Sequence, residues 1–242
     1  MTDSHLETRQ SVRIAESDTG SPDARPMVLL HALGEQGSDW DGVVLDRFAE
    51  RYRTITLDLR GHGASDWPGD YGFRLMADDV EDVLDQMAVS GVVLVGHSLG
   101  GAVAYEVAVR RPDLVRVLVV EDAAPPQGQP ARPVPDRPDA DLPFDWDVVL
   151  AIRAEVDRGD PQLWEDVAAI RVPTLIVAGG GDSTVDQGQL AEVARRVGDG
   201  TIRTLPVGHY VHRERPDEFC DVVLGWLAEV EARPVVVADQ PG

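Results

Sequence analysis

Three kinds of residue in this chain are spaced so that they could do covalent chemistry: a serine between glycines, a late histidine, and an acid on a loop between them. The segment Gly96-His97-Ser98-Leu99-Gly100-Gly101 fits the pattern G-x-S-x-G. Residues 92–95 before it form an apolar run of strand type, and residues 99–110 after it have the length and composition of a helix. A sharp strand-to-helix turn would lift Ser98 clear of a sheet and aim its hydroxyl at solvent. Glycines tolerate such a turn, and the helix N-terminus behind it favours negative charge developing on a substrate. The alternative is a glycine-rich turn with an idle serine, which the flanking strand and helix make the weaker reading.

A serine hydroxyl is a weak nucleophile at neutral pH, so it needs a base, and the base needs a group to orient it. On such an elbow the chain order is Ser, then Asp or Glu, then His. Two histidines follow Ser98. His209 comes directly after the strand-like run 201–205, and Gly208 leaves room for a loop that swings the imidazole over the sheet. His212 is expected at the start of a helical segment, in solvent. The base is therefore expected to be His209. For the acid, Asp182 follows the run 174–178 through Gly179-Gly180-Gly181, on a flexible loop at a strand's end, and is the expected partner. Asp186 reads as a surface acid. Asp122, just after the run 115–120, is the competitor.

The elements that must position these residues alternate along the chain. Strand-like runs fall at 12–15, 27–30, 54–57, 92–95, 115–120, 174–178 and 201–205. Helix-length amphipathic runs fall at 39–51, 73–89, 99–110, 187–197 and 217–230. The first of these has a Val43, Val44, Phe48 stripe, and the second has acids opposite its apolar face that read as solvated. This alternation implies an α/β fold with a mainly parallel central sheet flanked by helices. It breaks at 123–143, where Pro125, Pro126, Pro130, Pro133, Pro135, Pro138 and Pro143 favour irregular chain. Short helices are expected at 145–157 and 161–169. The tail from residue 232 is expected to be loose.

Taken together, these segments resemble the α/β-hydrolase superfamily from about Val12 to Val230. His31-Ala32-Leu33-Gly34, with Trp40 downstream, is similar to the family's oxyanion loop, although Ala32 stands where glycine is usual. The segment 58–65, the elbow 96–101, the loop 179–185 and Gly208-His209 resemble its other site loops. The resemblance implies a serine-nucleophile esterase or lactonase-like member in which the backbone N–H groups of Leu33 and Leu99 form an oxyanion hole. It also implies one domain, 1–242, with a short helical or irregular cap at 123–169. Phe144, Trp146 and Trp164 in that cap are candidates to line an acyl or alcohol pocket.

Composition bounds the partners. The chain has 242 residues, a formal charge of −21 and one cysteine, Cys220, and all its basic residues are arginine. Such acidity disfavours nucleic acid, anionic membranes and, weakly, anionic substrates. No apolar run is long enough to span a membrane, and the polar first ten residues do not read as a signal peptide, so a cytoplasmic address is expected. No His/Cys group has metal-ligand spacing, and no nucleotide loop is present. Neither metal nor cofactor is expected. The expected reaction is cleavage of a small, mostly uncharged ester, thioester or lactone through an acyl-enzyme on Ser98. Cofactor-free haloperoxidase, C–C bond hydrolase, aminopeptidase and non-catalytic small-molecule receptor are the alternatives. The oligomeric state is not legible in the sequence.

Overall fold

The computed structural model describes residues 2–130 and 133–233. Its sheet has eight strands, β1 (Thr2–Glu7), β2 (Arg13–Thr19), β3 (Pro26–Leu30), β4 (Arg53–Leu57), β5 (Val92–His97), β6 (Val115–Glu121), β7 (Thr174–Ala178) and β8 (Gly200–Thr204). They lie in the order β1-β2-β4-β3-β5-β6-β7-β8. The β1–β2 and β2–β4 pairs are antiparallel and the remaining pairs are parallel. β1 was not legible in the sequence because its residues, Thr-Asp-Ser-His-Leu-Glu, are those of a polar edge strand.

Helices cover both faces. They are α1 (Val43–Ala49), α2 (Phe73–Gln86), α3 (Leu99–Arg110), α4 (Trp146–Arg158), α5 (Pro161–Asp166), α6 (Gln187–Arg196), α7 (Val211–Glu214) and α8 (Pro216–Glu231). Successive side chains of a strand point to opposite faces, so the central strands feed two cores at once. Val92 and Leu94 of β5 pack with α2, α3 and α6, while Val93 and Val95 pack with α1 and α8. This double burial is why the parallel strands read as unbroken apolar runs. The helical reading of 39–51 resolves into a 3-10 turn, Gly37–Trp40, and α1. There Val44, Leu45 and Phe48 are buried and Val43 is exposed.

Three of the five acids of α2 are not solvated. Asp79, Glu81 and Asp82 are buried, and each meets an arginine: Arg60, Arg110 and Arg9. Arg60 holds Asp79 with two parallel bonds of 2.5 and 2.7 Å, Nε to Oδ2 and Nη2 to Oδ1. A planar guanidinium matches a carboxylate in this two-pronged way, which an ammonium cannot do. This pair pins the 58–65 turn to α2.

The sheet also explains the glycines of the elbow. A Cβ on Gly96 would lie 2.3 Å from the Gly100 carbonyl oxygen, and one on Gly100 would lie 2.3 Å from the Leu30 carbonyl oxygen. Both obstacles are backbone, so neither can move aside cheaply. Gly100→Ala is therefore expected to lower stability by at least ~2 kcal/mol, read from urea unfolding. Wild-type stability in that variant would mean that α3 does not sit this close to β3.

Candidate active site

Ser98 lies between the last residue of β5 and the first of α3, with φ 51° and ψ −110°. A positive φ is costly for a residue with a side chain and persists only when its surroundings enforce it. Here the Ser98 N–H donates to the Glu121 carbonyl at 3.1 Å, and the Gly100 N–H donates to the His31 carbonyl at 3.1 Å. The turn is thereby tied to β6 on one side and to the loop after β3 on the other.

His209 sits on the loop after β8, beyond Gly208 at φ 91°. Its Nε2 is 2.9 Å from Ser98 Oγ, and its Nδ1 is 2.7 Å from Asp122 Oδ2. The structure thus brings Ser98 and His209 together as the sequence implied, but the carboxylate bonded to His209 is that of Asp122 and not that of Asp182. The reason lies in the sheet. β6 and β7 are neighbouring parallel strands that end side by side, and Asp122 follows β6 directly, at φ 45°. Asp182 is exposed at the end of the 3-10 turn Gly180–Asp182. Its loop supplies donors instead of the acid. Asp122 Oδ1 accepts from the Gly179 N–H at 2.8 Å and from the Gln187 amide at 3.2 Å, and Oδ2 accepts from the Ser183 hydroxyl. Gly179 is needed because a Cβ there would fall 2.0 Å from the Gly208 carbonyl oxygen. Burial pushes the Asp122 carboxyl up, but the bonds from His209, Ser183, Gly179 and Gln187 outweigh it and hold the group below the usual carboxylate range.

The loop after β3 is braced by two neutral histidines. His31 Nε2 accepts the Leu59 N–H at 2.9 Å, so its Nδ1–H is free to donate to the Ala32 carbonyl at 2.7 Å. His62 Nε2 accepts the Gly34 N–H at 3.1 Å, with Nδ1 3.1 Å from the Arg60 carbonyl. Burial lowers both pKa values, that of His31 to about 3. Ala32 is unstrained, since the left-handed position of this loop is Gly34, at φ 82°. Leu33 follows Ala32, and Leu99 opens α3, where an N–H has no partner within the helix. Both border the cavity onto which Ser98 and His209 open.

That cavity has a volume of about 560 Å³, the scale of a small-molecule site. The aromatic residues expected there are elsewhere. Trp164 is buried against the body with the Arg196 guanidinium 5.1 Å over its ring, and Phe144 packs on His62 at 6.0 Å between ring centroids. Neither they nor Trp146, the half-buried first residue of α4, lines the cavity. The wall comes instead from Val149, Ile152, Arg153 and Val156, one face of α4 at positions i, i+3, i+4 and i+7, with Phe73 and the strap 123–129. α4 is fastened by Glu155, whose carboxylate accepts the Phe73 N–H at 2.9 Å at the N-terminus of α2.

Behind the site is a group of charges the sequence did not reveal. His212 is buried and not solvated. Its Nδ1 is 2.8 Å from Glu121 Oε2 and its Nε2 is 3.2 Å from Asp39 Oδ2, while Arg213 also pairs with Asp39. Burial opposes a charge on His212, but the two carboxylates prevail and raise its pKa to about 9. Ligand atoms of Asp39, His97 and His212 lie within 4.8 Å of one another, a grouping hidden by their distance along the chain. Because both His212 nitrogens face carboxylates, an imidazolium accounts for its contacts. His97 is buried with its pKa lowered to about 4, and its Nε2 is 2.8 Å from the His209 carbonyl, so it braces His209 through its backbone. Cys220 is buried in the core with its thiol pushed up to about 12.

The profile of the alpha/beta hydrolase family matches residues 27–222. The chain belongs to the alpha/beta hydrolase family. It is 29% identical over 223 residues to the sn-1-specific diacylglycerol lipase ABHD11 of Mus musculus, covering 73% of this chain and 72% of that protein. It is 27% identical over 254 residues to the magnesium-chelatase 30 kDa subunit of Rhodobacter capsulatus, covering 87% and 89%. Among solved structures, Est816, described as an N-acyl homoserine lactone degrading enzyme, superposes with a TM-score of 0.78 at 26% identity, covering 92% of this chain and 100% of that one. A diacylglycerol lipase and an N-acyl homoserine lactone degrading enzyme are thus among the proteins it resembles, and hydrolase chemistry is the activity that this kinship supports.

Two outcomes follow from the geometry. Asp122→Asn is expected to lower kcat on a 4-nitrophenyl ester by about 10⁴-fold, because an amide cannot fix the imidazole tautomer or stabilise its cation. Asp182→Asn is expected to stay within about twofold, as surface changes away from such features usually do. Steady-state kinetics of the two variants checks this. The second outcome concerns pH. A histidine whose pKa is 6.5 unfolded and about 9 folded gives stability that is complete below pH 6.5 and lost as pH rises through 9. Urea unfolding of the wild type should show that loss, and His212→Gln should flatten it. An equal slope in both would mean that His212 is not the titrating group.

Proposed function

We propose that this protein is a serine hydrolase that cleaves carboxylic ester, thioester or lactone bonds through an acyl-enzyme on Ser98. The observation that carries the reading is the continuous chain from Ser98 Oγ through His209 to a buried, fully bonded Asp122 carboxylate, opening on a cavity beside a helix N-terminus. His209 Nε2 takes the hydroxyl proton as Ser98 attacks the carbonyl. Asp122 keeps the other proton on Nδ1 and stabilises the imidazolium that forms. The tetrahedral oxyanion is received by the N–H groups of Leu33 and Leu99. Such donors are worth ~3 kcal/mol each where they can be removed. His209 then protonates the leaving alcohol, thiol or ring oxygen. In the second half it draws a proton from water, which attacks the acyl-enzyme and releases the acid. In this reading the chain is one catalytic domain, with 123–169 as a short cap that shapes the acyl and alcohol sites.

The test is labelling followed by hydrolysis. A fluorophosphonate should label the wild type on the peptide that contains Ser98, and Ser98→Ala should neither label nor hydrolyse 4-nitrophenyl butyrate above background while keeping its circular dichroism. A panel of esters, thioesters, lactones and amides then separates acyl-oxygen and acyl-sulfur cleavage from peptidase activity. A folded Ser98→Ala variant with most of the wild-type rate would sink the assignment.

A further inference from the structure

The acidic surface favours a mostly uncharged substrate, but one cation in the cavity does not fit that picture. Arg153 projects from the inner face of α4 among Val149, Ile152 and Val156, in the wall of the cavity that holds Ser98. The chain carries 43 acids against 22 arginines, so an arginine without an acid beside it is unusual wherever it faces the protein. Most arginines here are paired with carboxylates, Arg60 with Asp79, and Arg110 and Arg111 with two each. Among the described residues, Arg153 has no carboxylate within 4.0 Å. Its one hydrogen bond to the described residues sends Nη2 to the Pro133 carbonyl at 2.8 Å. That bond orients the guanidinium without neutralising it, and leaves most of its five N–H groups without a partner among the described residues.

Asp186 is the exposed acid that shares the cavity. Its Oδ1 accepts the Gly188 and Gln189 N–H groups at 2.8 and 3.4 Å, which commits its charge to the N-terminus of α6. The Asp122 carboxylate is committed to His209, Ser183, Gly179 and Gln187. Gln189 and, at the rim, Gln127 and Gln129 add neutral amide donors to the same wall. A guanidinium set beside the apolar side chains of Val149, Ile152 and Val156, with no carboxylate to pair it among the described residues, is an incomplete ion pair. The group that completes it with two parallel bonds is a planar carboxylate.

We propose that Arg153 selects substrates that carry a free carboxylate in addition to the bond that is cleaved, so that the class taken at this site is the half-ester, or the ester or lactone of a carboxylated acid or alcohol. This rests on Ser98 acting as the nucleophile. The carboxylate lies against α4, its guanidinium partner supplied by Arg153, while the apolar part of the molecule covers Val149, Ile152, Val156 and Phe73. The overall negative charge repels such anions at long range, so their selection depends on this local cation and weakens as salt screens it.

The experiment measures kcat/KM for matched pairs. On the acyl side the pairs are the 4-nitrophenyl half-esters of adipic, pimelic and suberic acid against the same esters with the far carboxyl as a primary amide. On the alcohol side the pair is 4-carboxyphenyl acetate against 4-carbamoylphenyl acetate. In at least one series the wild type is expected to prefer the carboxylate by ~10–100-fold, the discrimination of a charge-assisted pair. Arg153→Met should bring that ratio to unity or below, and Arg153→Lys, a point charge without the fork, should leave an intermediate ratio. Fluorophosphonate labelling of Ser98 in the same preparations separates the two levels of the account. A labelled wild type that prefers the amide in every series, or a ratio unmoved by Arg153→Met, overturns the inference and leaves the hydrolase reading standing. A wild type that neither labels nor hydrolyses any member overturns both.

Discussion

The buried carboxylate of Asp122 is the constraint on which the site depends. A charge without exposure to solvent is tolerable only if each oxygen has donors. Oδ1 has the Gly179 N–H and the Gln187 amide, and Oδ2 has the Ser183 hydroxyl and His209. Satisfying those two oxygens fixes three segments at once: the end of β6, the loop after β7 and the loop after β8. The requirement extends backwards to Ser98, whose N–H is held by the carbonyl of Glu121, the residue before Asp122. One desolvated group thus sets the distance between His209 and Ser98.

Next to it, Glu121 does the opposite job on the other face of the strand end. Its carboxylate faces His212, which faces Asp39, which faces Arg213. Consecutive residues of one strand end, pointing to opposite sides, therefore orient two histidines, one toward the cavity and one toward the core. The neutral His97 links these halves by its bond to the His209 backbone. The loop after β3 is held by an analogous device in which both histidines, His31 and His62, remain uncharged.

Much of this was legible in the sequence because it rests on short-range rules. The strand, elbow and helix around Ser98 fall where hydrophobic runs and glycines place them, and α3 and β7 have the bounds expected. The carboxylate partner of His209 was not legible by the same logic. The run Gly179-Gly180-Gly181 suggests a loop that carries Asp182 toward the base, whereas Gly179 is there to let the Gly208 backbone pass. The signal for Asp122 was an acid with no spacer after a fully buried strand, which needs knowledge of the neighbouring strand to interpret. The cap misled through residue type. Large aromatics suggest a pocket, but Trp164 and Phe144 were used for packing, and the lining is written in the i, i+3, i+4, i+7 spacing of Val149, Ile152, Arg153 and Val156. The acids of α2 misled because partners such as Arg60 and Arg110 are distant in sequence.

The central claim is that Asp122 is the group that holds the His209 imidazole for Ser98. It is tested most directly by proton NMR of the His209 ring. A Nδ1–H held at 2.7 Å from a buried carboxylate should give a resonance far downfield of the amide envelope, protected from exchange by its hydrogen bond. The account predicts that this signal is present in the wild type and in Asp182→Asn and absent in Asp122→Asn. A signal that survives in Asp122→Asn and vanishes in Asp182→Asn would contradict it.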